Sequence, residues 1–169
     1  AVSIIGGGHI DATGSFNVGR VQQLTPTLQF YSSNPRNTAV NIRGIGVPFG
    51  LANDGIEKGV GIYVDDVYYS RVASATFDFL DVAQIEVLRG PQGTLYGKNT
   101  TSGAINITTR QPTFTPEGSL EVSAGSLDFR QVKAALSGPL SETLAARIAL
   151  SFTDRDGTLY NIASGDNIN

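Results

Sequence analysis

The sequence predicts two kinds of structure in series. Residues 1–113 read as a small α+β unit, a mixed sheet with short helices. Residues 117–169 read as the first antiparallel strands of a transmembrane β-barrel that is larger than this chain. Three observations predict this. Short apolar runs broken by glycine turns fill the first two-thirds. From Glu117 the pattern changes to a period of two over segments of about ten residues, the length a tilted strand needs to cross a bilayer. Charged residues make up only 16% of the chain, and 20 of its 169 residues are glycine, against usual shares of about 25% and ~7%.

Composition also excludes classes of function. A net charge of −3 with a pI near 5.0 offers no basic footprint for nucleic acid. There is no cysteine, so disulfides, thiolate metal sites and a thiol nucleophile are excluded. Methionine is also absent, even at position 1, and the chain is expected to be part of a longer precursor. No run approaches the ~20 apolar residues of a membrane helix.

In chain order, residues 2–5 form an apolar strand ended by Gly6, Gly7 and Gly8. Asp11 or Thr13 is placed to cap a helix running to about Leu24, with Phe16, Val21 and Leu24 on one face and Pro26 as the stop. Residues 28–31 form a strand, 32–37 a polar turn with Pro35, and 39–42 a strand entering Arg43-Gly44-Ile45-Gly46. The loop 47–59 is long enough to bind something. Residues 61–64 form a strand that turns at Asp65-Asp66 and returns through Val67, Tyr68 and Tyr69. Residues 77–80 read as a turn of helix. A strand at 85–88 then enters Arg89-Gly90-Pro91, and Gly93, Gly97 and Gly103 punctuate the connector to a last short strand at 104–107.

Beyond Glu117, Leu120, Val122 and Ala124 share one face. Val132, Ala134 and Leu136 repeat the pattern, as do Leu144, Ala146, Ile148, Leu150 and Phe152. The opposite positions carry charge, hydroxyl or alanine. A lipid-facing outside with a polar lumen fits this alternation, and so does a soluble sheet with one wet face. The tight turn at 138–141 and the long polar stretch at 154–169 follow the barrel habit of short and long connections. Three such strands leave edges unpaired in lipid, so closure needs about eight or more strands.

Several constellations invite chemistry and decline it. The glycine run at 6–8 lacks a GxGxxG register and a following Lys-Ser/Thr, so it is no phosphate loop. His9 is the sole histidine and no GxSxG elbow exists. Tyr63-Val64-Asp65-Asp66 resembles the paired-aspartate hairpin of reverse transcriptases, but the chain is acidic and lacks a template groove. Asp154-Arg155-Asp156-Gly157 matches only the opening of a calcium loop. Asn99-Thr100-Thr101 and Asn106-Ile107-Thr108 fit a glycosylation sequon, which carries meaning only in a secreted eukaryotic protein. No catalytic residue, metal site or cofactor is expected. Arg43 and Arg89 stand out because each ends a strand before a glycine, where a planar fork suits a carboxylate.

Five stretches carry a resemblance: LTPTLQF at 24–30, NIRGIG at 41–46, IYVDDVY at 62–68, IEVLRGPQGTLYGKNTTSGAINI at 85–107 and GPLSETLAARIAL at 138–150. In this order they resemble the plug domain and first barrel strands of TonB-dependent outer-membrane receptors. The resemblance implies a plug that gates an outer-membrane barrel, with TonB as energising partner, surrounding lipid, and an extracellular ligand that is usually a ferric siderophore. It implies that Arg43 and Arg89 reach glutamates on the inner barrel wall and lock the plug. Ligand contacts are expected on the loop 47–59 and on Tyr68, Tyr69 and Arg71, whose aromatic and cationic groups suit an anionic iron chelate. No TonB box is visible. A signal peptide and that box are expected upstream, and several hundred residues of barrel downstream. A soluble β-rich ligand-binding or adhesion module is the competing reading, with an enzyme built on Asp65 and Asp66 behind it.

Overall fold

The computed structural model describes residues 2–14, 17–33, 37–47, 57–76, 78–157, 159–160, 162, 165 and 167–168. The chain divides into two compact units, Ala1–Arg110 and Gln111–Asn169.

The first unit opens with strand β1 (Val2–Gly6) and two short helices, α1 (Gly7–Thr13) and α2 (Val18–Leu24). The single helix expected to start at Asp11 or Thr13 is therefore two helices, and the first begins inside the glycine run. Gly14, at φ +61°, ends α1 in a left-handed conformation that suits a residue without Cβ. Asn17 caps α2 through its side chain, which accepts from Arg20 N at 3.2 Å. Asp11 instead pairs with Arg110 at 3.0 Å, and Thr13 donates back to His9 O at 2.8 Å. Phe16 and Pro35 lie outside the described residues. Gly7 is required by packing: a Cβ there would sit 2.3 Å from Val82 O.

A three-stranded sheet follows, in the order β2 (Leu28–Ser32), β3 (Thr38–Ile42), β4 (Ile45–Gly46). Strands β5 (Val60–Val64), β6 (Val67–Tyr68), β7 (Val82–Arg89) and β8 (Gly103–Thr109) join β1 in a five-stranded sheet ordered β1-β7-β8-β5-β6. It is mixed, because β5 and β8 run parallel while the other pairs are antiparallel. The helical turn expected at 77–80 lies earlier, as a 3-10 turn at Val72–Thr76; Phe77 is outside the described residues. Helix α3 (Gly93–Tyr96) occupies the glycine connector, where only turns were expected.

Register explains the core. Ile5, Ile85, Ile107 and Val64 stand in one row across the sheet, and Val87, Ile105 and Ile62 in the next. These aliphatic side chains pack with Ile10, Val18, Val21, Leu28 and Ile42 into a single cluster. Each fully buried aliphatic side chain contributes about 1.5–3 kcal/mol. Gly103 closes the parallel pairing at φ +154°, where a Cβ would meet Leu88 O at 2.3 Å.

The second unit is an antiparallel meander of β9 (Glu117–Ala124), β10 (Arg130–Pro139) and β11 (Ala145–Asp154). Leu127 and Asp128 take positive φ in the turn between β9 and β10, closed by Gly125 N donating to Phe129 O at 2.9 Å. Leu144, expected within the last strand, is in the turn before it, where its carbonyl accepts from Leu140 N at 2.7 Å. Register places Val122, Val132 and Phe152 side by side, then Leu120, Ala134 and Leu150, then Leu136 and Ile148. This aliphatic face is exposed, Leu120 by 72%. On the opposite face Gln131 is only 6% exposed and donates to Thr153 Oγ1 at 2.8 Å, Ser137 is buried, and Arg147 faces Glu117 at 3.9 Å. Burial is thus inverted relative to a water-soluble sheet.

Candidate functional site

The two arginines sit at unlike turns. Arg43 and Gly44 form the two-residue connection between β3 and β4, at φ +55° and +79°. Positive φ at both central residues marks the hairpin turn that matches strand twist. Arg43 is exposed, and among the described residues its guanidinium meets no carboxylate. Arg89 ends β7 half-buried, with Nε donating to Thr27 Oγ1 at 2.9 Å and Nη2 donating to Ser3 Oγ. Thr27 links the two, because its carbonyl also accepts from Arg43 N at 2.9 Å. Sequence reading passed over Thr27. The only available signal was its place between Pro26 and the β2 strand, in a motif already singled out.

The aspartate pair is a turn. Asp65 and Asp66 both take positive φ between β5 and β6. The Asp65 carboxylate accepts from Thr109 N and from Thr109 Oγ1, each at 2.8 Å, so both oxygens are engaged in holding β5 to the end of β8. No group of three metal-ligating side chains occurs among the described residues. His9 is exposed on α1.

Beside that turn lies an aromatic cluster. The Tyr63 ring is 5.3 Å from Tyr68 and edge-on to Tyr96 at 4.8 Å. Tyr63 donates its hydroxyl proton to Tyr96 O. Burial, then the neighbouring Tyr68 and Tyr96, push the Tyr63 pKa up. Tyr68 accepts from Asn99 Nδ2 at 2.9 Å, so its ring and hydroxyl are both engaged in packing.

Tyr69 and Arg71 lie on the short segment leading into the 3-10 turn, with exposed side chains. Lys58 holds that segment from below its backbone: the ammonium donates to Tyr69 O at 3.0 Å, to Arg71 O, and to Ser74 Oγ at 3.4 Å. Desolvation lowers the Lys58 pKa to about 8. A cavity of about 10 Å³ adjoins it, bordered by Thr38, Val40, Val47, Val60 and Ile62, room for about one water. Most of the loop 47–59 (residues 48–56) lies outside the described residues. Lys58 was not legible from sequence, since nothing local distinguishes a buried lysine from a solvated one.

A family model described as TonB-dependent receptor plug domain matches residues 1–104. The pesticin receptor of Yersinia pestis is 36% identical over 149 residues, covering 86% of this chain and 21% of the relative. The catecholate siderophore receptor Fiu of Escherichia coli K12 is 27% identical, covering 69% of this chain and 17% of the relative. The chain therefore spans about a fifth of the length of the curated relatives it matches. Among solved structures, the ferric yersiniabactin uptake receptor FyuA from Yersinia pestis superposes with a TM-score of 0.88 at 30% identity, covering 99% of this chain and 26% of that one. The pyoverdine receptor FpvA of Pseudomonas aeruginosa shares the fold at a TM-score of 0.77 and 22% identity, covering 94% of this chain and 23% of that one. The chain belongs to the TonB-dependent receptor plug domain family.

Proposed function

We propose that this chain is the plug and the opening barrel strands of an outer-membrane receptor, which takes up a ferric chelate with energy delivered by TonB. Residues 1–113 are the gate and 117–169 the first three staves of the barrel. The carrying observation is the inverted burial of β9–β11, aliphatic side chains outward and Gln131, Ser137 and Arg147 inward, directly after a unit of the plug family. A lipid-facing wall requires that arrangement, whereas a soluble module has no use for it. The likeness to FyuA extends over 99% of the chain and so includes these strands. The protein acts as a transporter and catalyses no reaction.

In this reading Arg43 and Arg89 serve the contact between plug and barrel. Arg89 spends part of its donor set on Thr27 and Ser3, while Arg43 presents an exposed fork. Tyr69 and Arg71 offer an aromatic face and a cation to an anionic chelate, while Tyr68 packs against Tyr63 and accepts from Asn99. Ferric yersiniabactin, the chelate that FyuA takes up, is the first probe. Uptake of its radioactive iron complex is measured in cells carrying the intact receptor, with and without TonB. Uptake that requires both is expected. Equal uptake without TonB, or recovery of the intact protein in the aqueous fraction, overturns the reading.

A further inference from the structure

We propose that Lys58 is a positioning residue for ligand binding: its buried ammonium sets the backbone of the 69–74 segment and thereby presents Tyr69 and Arg71. The inference rests on the reading above, in which those two side chains face the ligand.

Lysine is seldom fully buried unless it is paired, and Lys58 is 7% exposed. Among the described residues no carboxylate meets its ammonium. An ammonium has three protons to donate, and the three acceptors Lys58 finds are Tyr69 O, Arg71 O and Ser74 Oγ, all on one six-residue stretch. Among the described residues the cation is held by these directed hydrogen bonds, and removing it takes one donor from each acceptor.

Tyr69 N donates to Ile62 O at 2.9 Å, and Arg71 O also accepts from Ser74 N at 3.2 Å and Ser74 Oγ at 2.5 Å. The last two are local, so they shape the turn without placing it on the sheet. Lys58 adds its own ties to the sheet beside the Tyr69–Ile62 bond, and its own backbone is fixed. Gly59 O accepts from Ser102 N at 2.9 Å and Ser102 Oγ at 2.7 Å, and a Cβ on Gly59 would come within 3.0 Å of Gly46 Cα. The ammonium thus transmits the position of the β5–β8 pairing to two carbonyls of a surface segment. The adjoining cavity is walled by Thr38, Val40, Val47, Val60 and Ile62, a mostly aliphatic lining with few acceptors for the extra N–H groups of a guanidinium.

The test uses the intact receptor in outer membranes, with ferric yersiniabactin as probe. Lys58→Met is expected to raise the Kd about tenfold, with the receptor level and the saturated uptake rate within about twofold of wild type. Lys58→Arg does not rescue. Ser74→Ala, which keeps the ammonium and removes one acceptor, raises the Kd about threefold. Lys98→Met, an exposed lysine, leaves it unchanged and so controls for net charge. Hydrogen exchange supplies a readout free of ligand: amides of residues 69–76 are expected to exchange faster in Lys58→Met while those of β5 and β8 do not. An unchanged Kd in both Lys58→Met and Ser74→Ala overturns the proposal. If Lys58→Met is missing from the membrane, Ser74→Ala decides by the same criterion. Wild type that binds no probe defeats the choice of ligand instead, and exchange then decides: no local acceleration around residues 69–76 overturns the role of Lys58.

Discussion

Ile105 in β8 and Leu150 in β11 both lie mid-strand in regular antiparallel pairings. The first is sealed from solvent and the second is 64% exposed. Their neighbours repeat the contrast. In the first unit the aliphatic rows of β7, β8 and β5 face helices and the second sheet, and the polar row of Glu86, Asn106 and Tyr68 takes the other side. In the second unit the aliphatic rows look out, while Gln131 and Ser137 are buried. On the proposed reading, similar alternation serves two solvents. Water drives the apolar face inward in one unit, and on that reading a hydrocarbon surround removes the drive in the other, leaving backbone pairing as the main requirement.

The contrast can be broken by substitution, and the largest effect is expected in the core of the first unit. Ile105→Ala should destabilise by about 2–5 kcal/mol through lost burial and a cavity, whereas Leu150→Ala should change stability little. Denaturant midpoints of the intact receptor in lipid vesicles check both, and equal losses would remove the distinction between the units. Next, a charge on the outward face of β11 should act as it does on a lipid wall. Leu150→Arg is expected to cost about 2–4 kcal/mol near the bilayer midplane and to lower the amount inserted, while Ser151→Arg on the inward face is tolerated.

A smaller effect sharpens the comparison within the first unit. Asp65→Ala removes two hydrogen bonds to Thr109 at an exposed turn and should cost roughly 1–2 kcal/mol, seen as faster exchange at the end of β8, with no change in divalent-ion binding. The last test is the titration of Lys58. Its pKa is about 8 in the folded state against 10.5 for the free side chain. Between those values the unfolded chain holds more protons, so stability should rise with pH across that window and stay flat below it. Lys58→Met should abolish the rise. A wild-type profile that falls over the same interval would contradict the burial of this amine.

Much of the fold was readable because its signals are local. Apolar runs and glycine turns located β2, β3, β5 and β8, and the period-two alternation located β9 and β10. Local rules also failed in informative places. Glycines at 7 and 8 read as a strand terminator, yet they open α1, because Gly7 must lie against the carbonyl of Val82. Leu144 continues an alternating pattern but belongs to a turn, where a backbone bond to Leu140 outweighs side-chain period. The arginines were singled out by repetition of context, and their meeting at Thr27 was hidden, since Arg89 and Thr27 are 62 residues apart.

Motif order was enough for the resemblance to the family, and periodicity and turn chemistry were enough for the strand-rich first unit and the alternation of the last third, because each depends on residues close together in the chain. Register and burial were decided in three dimensions. Which aliphatic face is hidden, which lysine is dry, and which hydroxyls receive Arg89 depend on strands brought together across tens of residues. A side chain's free energy follows what surrounds it, and spacing along the chain does not specify those surroundings.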